Sequence, residues 1–247
     1  DSWKSNIDAT VGYDYQFWKS TSPLYSELNT LGAVQSTSAA TDQRHALISY
    51  YARLNYTFDS RYMLTATVRR DGTSRFNKDN RWGTFPSVAL AWRVSEEAFL
   101  KDNTVLSNLK LRASYGVTGQ QDGIGNYNYL PVYTYSQTGA EVQFGNQFIN
   151  TYRPEAYVSD LKWETTTSWN AGFDFGFLKD RISGSFDFYT RKTEDLLATV
   201  AAPAGSTFDK TILTNVGNVD SKGIEVTLNA TPIQTKDWNW DVSFNMT

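Results

Sequence analysis

The chemistry open to this chain is narrowed first by what it holds least of. Its 247 residues include one histidine, His45, and no cysteine. Thiolate nucleophiles, zinc–thiolate sites and disulfide frameworks are excluded, and a Ser-His-Asp relay has a single imidazole to form around. No nucleophile–base motif surrounds His45, so no catalytic residue is assigned and the chain is expected not to be an enzyme. One His without a second is a weak metal ligand and reads instead as an exposed residue at a strand end. Asp122-Gly123-Ile124-Gly125-Asn126 has a calcium-loop composition but lacks the ligand spacing and closing Glu of an EF-hand. Gly116-Val117-Thr118-Gly119 is not a phosphate loop. Neither a metal nor an organic cofactor is expected.

Recognition chemistry remains. Between Gly119 and Leu161 stand Tyr127, Tyr129, Tyr133, Tyr135, Phe144, Phe148, Tyr152 and Tyr157, with Asn126, Asn128, Gln143 and Asn146. Aromatic faces stack on sugar rings and amides hydrogen-bond hydroxyls, so this stretch could contact a glycan. The same residues could equally fold the loop on itself. Tyr127, Tyr129, Tyr133, Tyr135 and Phe144 are the candidate substrate contacts. Trp82 is a further candidate that also suits a structural place at a rim.

The elements that would position these residues are strands. Ile7, Ala9, Val11, Tyr13, Tyr15 and Phe17 alternate with Asp8, Thr10, Gly12, Asp14 and Gln16. The same period of two predicts strands over Ala46–Phe58, Tyr62–Val68, Val88–Val94, Leu109–Val117, Trp163–Phe177, Ile182–Lys192, Ile224–Ala230 and Trp238–Met246. Soluble strands usually run about 5–6 residues. Several here reach eleven, which at about 3.3 Å per residue span roughly 36 Å. Tilted by about 40–45°, that length crosses the roughly 25 Å apolar band of an outer-membrane barrel. Arg53, Arg69, Arg93, Arg112, Glu164 and Asp174 fall on the polar face. Such charges cannot fill a dry core but suit a wet or plugged interior.

Connections sort by length. Long ones (Trp18–Arg44, Asp71–Pro86, Gly119–Leu161, Thr193–Lys222) alternate with short ones (Asp59-Ser60-Arg61, Leu178-Lys179-Asp180, Pro232–Asp237). Ser95–Asn108 departs from this pattern, and Ser95–Leu100 within it could form a short helix. Tyr56, Phe58, Tyr62, Phe175, Phe177, Trp238 and Trp240 lie beside the short turns; Phe17, Trp18, Trp82 and Phe85 lie towards the opposite end. Two aromatic belts are what membrane interfaces favour. The fold expected is all-β, an antiparallel transmembrane β-barrel. The alternative is a soluble or surface-exposed carbohydrate-binding β-sandwich, in which the apolar faces would be buried.

Composition agrees with either reading but excludes others. The net charge is −3, too near neutral for a nucleic-acid footprint, and no nucleic-acid partner is expected. Val88-Ala89-Leu90-Ala91-Trp92 is far short of the roughly 18 apolar residues of a membrane helix. Asn55-Tyr56-Thr57 and Asn229-Ala230-Thr231 match the glycosylation sequon inside predicted strands, where chance explains them.

Several blocks resemble the SusC/RagA family of TonB-dependent outer-membrane transporters. The most specific is Arg70-Asp71-Gly72-Thr73-Ser74-Arg75-Phe76, continuing through Arg81-Trp82-Gly83-Thr84-Phe85-Pro86-Ser87 to Trp92-Arg93 and Glu96-Glu97-Ala98-Phe99-Leu100. Leu109–Gly119 is a second block. Trp163-Glu164 and Trp169–Asp174, with Arg181–Tyr189 and Thr193–Leu197, form a third. Asn215–Val219 with Lys222–Glu225 is a fourth. The blocks keep the family's order over most of residues 45–247.

The resemblance implies that residues 1–247 are part of one barrel domain of a longer protein, about nine strands of a roughly 22-stranded barrel. No segment here resembles the plug, the TonB-engaging segment or the closing strands. What the family implies is energised import of an oligosaccharide or peptide across the bacterial outer membrane. It also implies a SusD-like surface lipoprotein as lid, TonB acting through segments absent here, and surrounding membrane lipid and lipopolysaccharide. In that setting Arg53, Arg69, Arg93, Arg112, Glu164 and Asp174 would hold the plug by charge-assisted hydrogen bonds.

Overall fold

Alternating apolar and polar side chains make strands with two unlike faces, and here those strands are long. The computed structural model describes residues 4–135, 141–205, 207 and 209–247, with the side chain of Tyr135 outside that set. In chain order the strands are β1 (Ser5–Ser22), β2 (Tyr25–Leu28), β3 (Val34–Ser38), β4 (Thr41–Phe58), β5 (Tyr62–Thr73) and β6 (Trp82–Arg93). Then follow β7 (Leu106–Gln120), β8 (Tyr133–Tyr135), β9 (Glu141–Phe144), β10 (Gln147–Asn150) and β11 (Tyr152–Pro154). The last are β12 (Glu164–Phe177), β13 (Ile182–Glu194), β14 (Leu197–Ala201), β15 (Thr211–Asn215), β16 (Val219–Gln234) and β17 (Asn239–Met246).

One nine-stranded sheet, ordered β1-β4-β5-β6-β7-β12-β13-β16-β17, forms an antiparallel meander. Among the described residues the remaining strands pair as β2-β3, β8-β11, β9-β10 and β14-β15. All four of those pairs decorate the long connections.

Register carries each face across the sheet. One row runs Ile7, Tyr56, Leu64, Leu90, Ala113, Ala171, Phe188, Ile224. The adjacent row runs Asn6, Thr57, Met63, Ala91, Arg112, Gly172, Asp187, Glu225 and points the other way. The apolar face is open: Val11 is 85% exposed, Ile7 66% and Leu90 56%. Among the described residues no second sheet covers it, so the β-sandwich alternative is set aside.

Short turns close one end. Phe58 C=O accepts from Arg61 N–H at 3.0 Å around Asp59 and Ser60, whose φ values are 50° and 54°. Two left-handed residues are what a tight hairpin needs to match strand twist. Leu178, Lys179 and Asp180 turn β12 into β13, also with positive φ. Glu97 lies at the same end. It accepts from Arg61 Nη1 at 2.7 Å, Tyr62 OH at 2.6 Å and Trp92 Nε1 at 3.0 Å.

The strands outrun their hydrophobic pattern at the other end. β1 and β4 stay paired out to Ser22↔Thr41, beyond Phe17. Polar Lys19–Ser22 kept the register without showing it in hydropathy. β5 reaches Thr73 and β6 begins at Trp82, so the expected Asp71–Pro86 connection shrinks to 74–81. Pro86 is tolerated because β6 pairs with β7 only from Ser87 onward. The short helix expected at Ser95–Leu100 is a 3-10 turn, Val94–Glu96.

Candidate functional site

The polar face and the long-connection end are the two places where this chain can meet a solute or another polypeptide. The polar face is built from alternate positions of the long strands. All six sequence-selected charges, Arg53, Arg69, Arg93, Arg112, Glu164 and Asp174, occupy that face by register. Their chemistry differs.

Arg112 is fully engaged by the wall. Its Nη2 lies 2.8 Å from Asp174 on β12 and 2.9 Å from Asp187 on β13, and its Nε donates to Asp174 at 3.1 Å. Lys110 reaches Asp174 at 4.0 Å. Asp187 was not singled out in the sequence, although its place between Phe186 and Phe188 already put it on the polar face. Thr65, Ala89, Ser114, Asn170 and Gly172 border a shallow depression beside this cluster.

Arg69 donates to Asp71 at 2.7 Å and to Ser49 Oγ at 2.8 Å. Asp71 and Ser49 are buried. Glu164 accepts from the Leu197 N–H at 3.0 Å and so anchors the β14-β15 hairpin. Among the described residues the side chains of Arg53 and Arg93 make no hydrogen bond or ion pair.

The long-connection end has its own apolar core. Phe76, Phe85, Ile124, Leu161 and Trp163 are buried together, with Leu47, Val117, Val158, Leu197 and Leu213 against them. Trp163 meets Phe76 and Phe85 edge-on at 5.5 and 5.4 Å, and its Nε1 donates to the Arg81 carbonyl at 3.2 Å. The Phe85 ring lies across Gly83 and Gly119, where any Cβ would displace it. Asparagines stitch the connections together. Asn80 donates to the Asp160 carbonyl at 2.9 Å and Asn77 to the Ser159 carbonyl. Asn215 accepts from Lys162 N–H at 2.9 Å and donates to the Asp195 carbonyl at 2.8 Å. The described residues of segments 74–81, 121–163 and 195–218 thus form one rim. Sequence reading missed this core, because Phe76, Ile124 and Leu161 are isolated apolar residues in connections without a period, and only tertiary contact joins them to Phe85 and Trp163.

The loop aromatics do not converge. Tyr127 OH accepts from the Arg44 N–H at 3.1 Å, tying the loop to β4. Tyr129 is half-buried. Tyr133 lies on the β8-β11 pair, 62% exposed. Phe144 ends β9 and is 71% exposed. Tyr135 pairs with Tyr152 through its backbone, and its side chain lies outside the described residues. Trp82 stands apart. Its register, Ile48↔Gly72↔Trp82, puts it on the apolar face beside Tyr50, whose ring is 6.2 Å away. It therefore turns away from the polar face, contrary to its selection as a substrate contact. His45 stacks on Trp18 at 4.3 Å and faces Arg75 Nη2 at 3.3 Å.

Comparison with known proteins fits this two-faced wall. The whole of residues 1–247 matches the family described as TonB dependent receptor-like, beta-barrel. The TonB-dependent receptor SusC of Bacteroides thetaiotaomicron is 51% identical over 213 residues, 86% of this chain and 21% of that protein. A TonB-dependent receptor of Formosa agariphila is 40% identical over 224 residues, 88% of this chain and 20% of that one. The chain thus spans about a fifth of the length of these curated relatives. Among solved structures, the RagAB peptide transporter superposes with a TM-score of 0.81 at 29% identity, over 99% of this chain and 28% of that one. The siderophore receptor PirA from Pseudomonas aeruginosa shares the fold, with a TM-score of 0.60 at 16% identity over 97% of this chain and 38% of that one.

Proposed function

The chain belongs to the TonB-dependent receptor-like β-barrel family of the bacterial outer membrane, and from that premise we propose that it forms wall and external rim of an importer of nutrient oligomers. The cargo is a glycan or a peptide, and uptake is energised by TonB acting on segments outside these residues. A SusD-like lipoprotein would close over the external rim. The observation that carries the reading is the pairing of an open apolar face with a charged face on strands long enough to cross the membrane. The likeness to SusC and to a peptide transporter supports the cargo class.

The six charges divide the labour on this reading. Arg112 and Asp174 neutralise each other within the wall, whereas Arg53 and Arg93 have no acidic partner there. Those two arginines are the ones that would grip a plug by charge-assisted hydrogen bonds. Tyr127, Tyr129, Tyr133, Tyr135 and Phe144 would offer stacking surfaces at the mouth, and the protein would bind and pass its cargo without covalent chemistry.

Deletion of the gene in the source bacterium tests the whole reading. Uptake of labelled oligosaccharide and oligopeptide pools is compared with and without the gene, and loss of one class is expected. Unchanged uptake of both, with the protein present in wild-type membranes, would overturn it. Co-purification of a lipoprotein with the full-length protein tests the lid separately.

A further inference from the structure

Arg70 is one of several cations that register places on the apolar side of the wall, with Lys19, Arg44, Lys192 and Lys222. Arg70 pairs in register with Tyr50 and Thr84, which places it on the apolar face, while its neighbours Arg69 and Asp71 face the other way. It is exposed. Among the described residues it makes no hydrogen bond or ion pair; its guanidinium carbon sits 5.5 Å from the Trp82 ring centroid. Trp82 in turn stacks near Tyr50, and Tyr50 near Tyr13 at 5.3 Å. Trp82 covers Gly72, where a Cβ would stand 2.7 Å from the indole. Arg70 therefore rests on a fixed aromatic platform. On β4, where that face continues beyond the apolar rows, Asp42 is held by Arg44, with Lys19 at 3.8 Å.

Depth locates the platform. Trp92 lies on the same face of β6, ten residues from Trp82, and stacks with Tyr62 at 6.2 Å. Ten residues span roughly 33 Å, or about 24 Å along the membrane normal at a 40–45° tilt. That matches the separation of the two interfacial aromatic belts. Trp92 and Tyr62 then mark the periplasmic belt, and Trp82, Tyr50 and Tyr13 the external one. An arginine beside the external belt can extend its stem along apolar surface and lift its guanidinium to headgroup depth.

We propose that Arg70, on the Trp82 platform, binds a phosphate of an outer-leaflet lipid headgroup. A guanidinium stacked on an indole keeps its N–H edge free for bidentate contact with phosphate oxygens. Hydrocarbon supplies no such acceptor, and among the described residues no carboxylate lies within ion-pair distance of Arg70. This site concerns how the barrel sits in its membrane and is independent of what the barrel imports.

Full-length protein, purified in detergent, is titrated with phosphorylated lipid A, phosphate-free lipid A and inorganic phosphate, and bound species are counted by native mass spectrometry. The unaltered protein is expected to retain phosphorylated lipid A over the phosphate-free form. Arg70→Gln should bind it roughly fivefold more weakly, the worth of one basic side chain at a lipid surface. Arg70→Lys should retain part of the difference. Inorganic phosphate should not compete at equal concentration, since it lacks the acyl chains that lie on the apolar face; full competition would identify a free-phosphate site and overturn the lipid assignment. Equal binding of both lipid forms by the unaltered protein would overturn the proposal without any variant.

Discussion

Trp163→Ala separates the rim from the wall. The side chain is buried and meets two aromatic rings, and its N–H satisfies the Arg81 carbonyl. Removing a buried Trp costs about 3–5 kcal/mol, and edge-on ring pairs account for part of that. At about 1.4 kcal/mol per factor of ten, opening of the rim should become roughly two to three orders of magnitude more frequent. The sheet has none of these contacts below Phe85, so its strands should stay protected. Hydrogen exchange on the full-length protein reads both regions at once. Amides of 74–81 and 141–163 should exchange at least a hundredfold faster, within the two-to-three-order range of that estimate. Amides of β12 and β13 towards Phe177 and Ile182 should be unchanged. Trp163→Phe keeps one aromatic ring in the cluster but loses the donor and part of the indole volume, so its effect should be about 1–3 kcal/mol, below that of Trp163→Ala. Equal acceleration of rim and wall, or no acceleration in either, would refute the idea of a separately cored rim.

Three other changes test neighbouring claims. Gly119→Ala puts a Cβ where the Phe85 ring lies and should cost about 1–3 kcal/mol of rim stability, read by the same exchange experiment. Arg112→Met leaves Asp174 and Asp187 facing each other, with Lys110 alone beside Asp174 at 4.0 Å. It should lower the heat-unfolding midpoint more than Asp187→Asn, which should cost no more than about 1 kcal/mol at this partly exposed site, and the triple neutral variant should recover most of the loss. Hydrogen bonds from Tyr62 and Trp92, with Arg61 alongside, hold the Glu97 carboxyl below the usual carboxylate range. Its contribution is therefore complete above that range and lost as pH falls through the lowered folded value. Glu97→Gln should be less stable than the native protein at neutral pH, with the gap closing in acid; a gap that does not narrow as pH falls would contradict this.

The wall was legible in sequence because its two faces meet different surroundings at every second residue. Ile7–Phe17 and Trp163–Phe177 announced themselves, and the charges at 53, 69, 93, 112, 164 and 174 took their side from the same alternation. Legibility ended where that constraint ends. Lys19–Ser22 continues β1 through ladder hydrogen bonds and the Lys19–Asp42 ion pair, and nothing in its hydropathy says so. Trp82 was placed at the right end, but Gly83 and Pro86 hid the start of β6 and with it the parity that assigns its face. The rim core was hidden for another reason. Phe76, Ile124 and Leu161 come from three connections, and only tertiary contact makes them one cluster.

The meander has a consequence for how such a protein can change over generations. Every strand of the nine-stranded sheet bonds to the one before and the one after it in that sheet, so each external connection leaves and re-enters at adjacent positions. A connection can therefore be lengthened, shortened or exchanged between descendants without re-registering any strand; the closure entropy of a longer loop grows only slowly. The contacts that tie one connection to another, such as Asn80, Asn215 and the shared core of Phe76, Ile124 and Leu161, would need to be inherited together. The ladder holds the frame, and the mouth it carries can be exchanged one loop at a time.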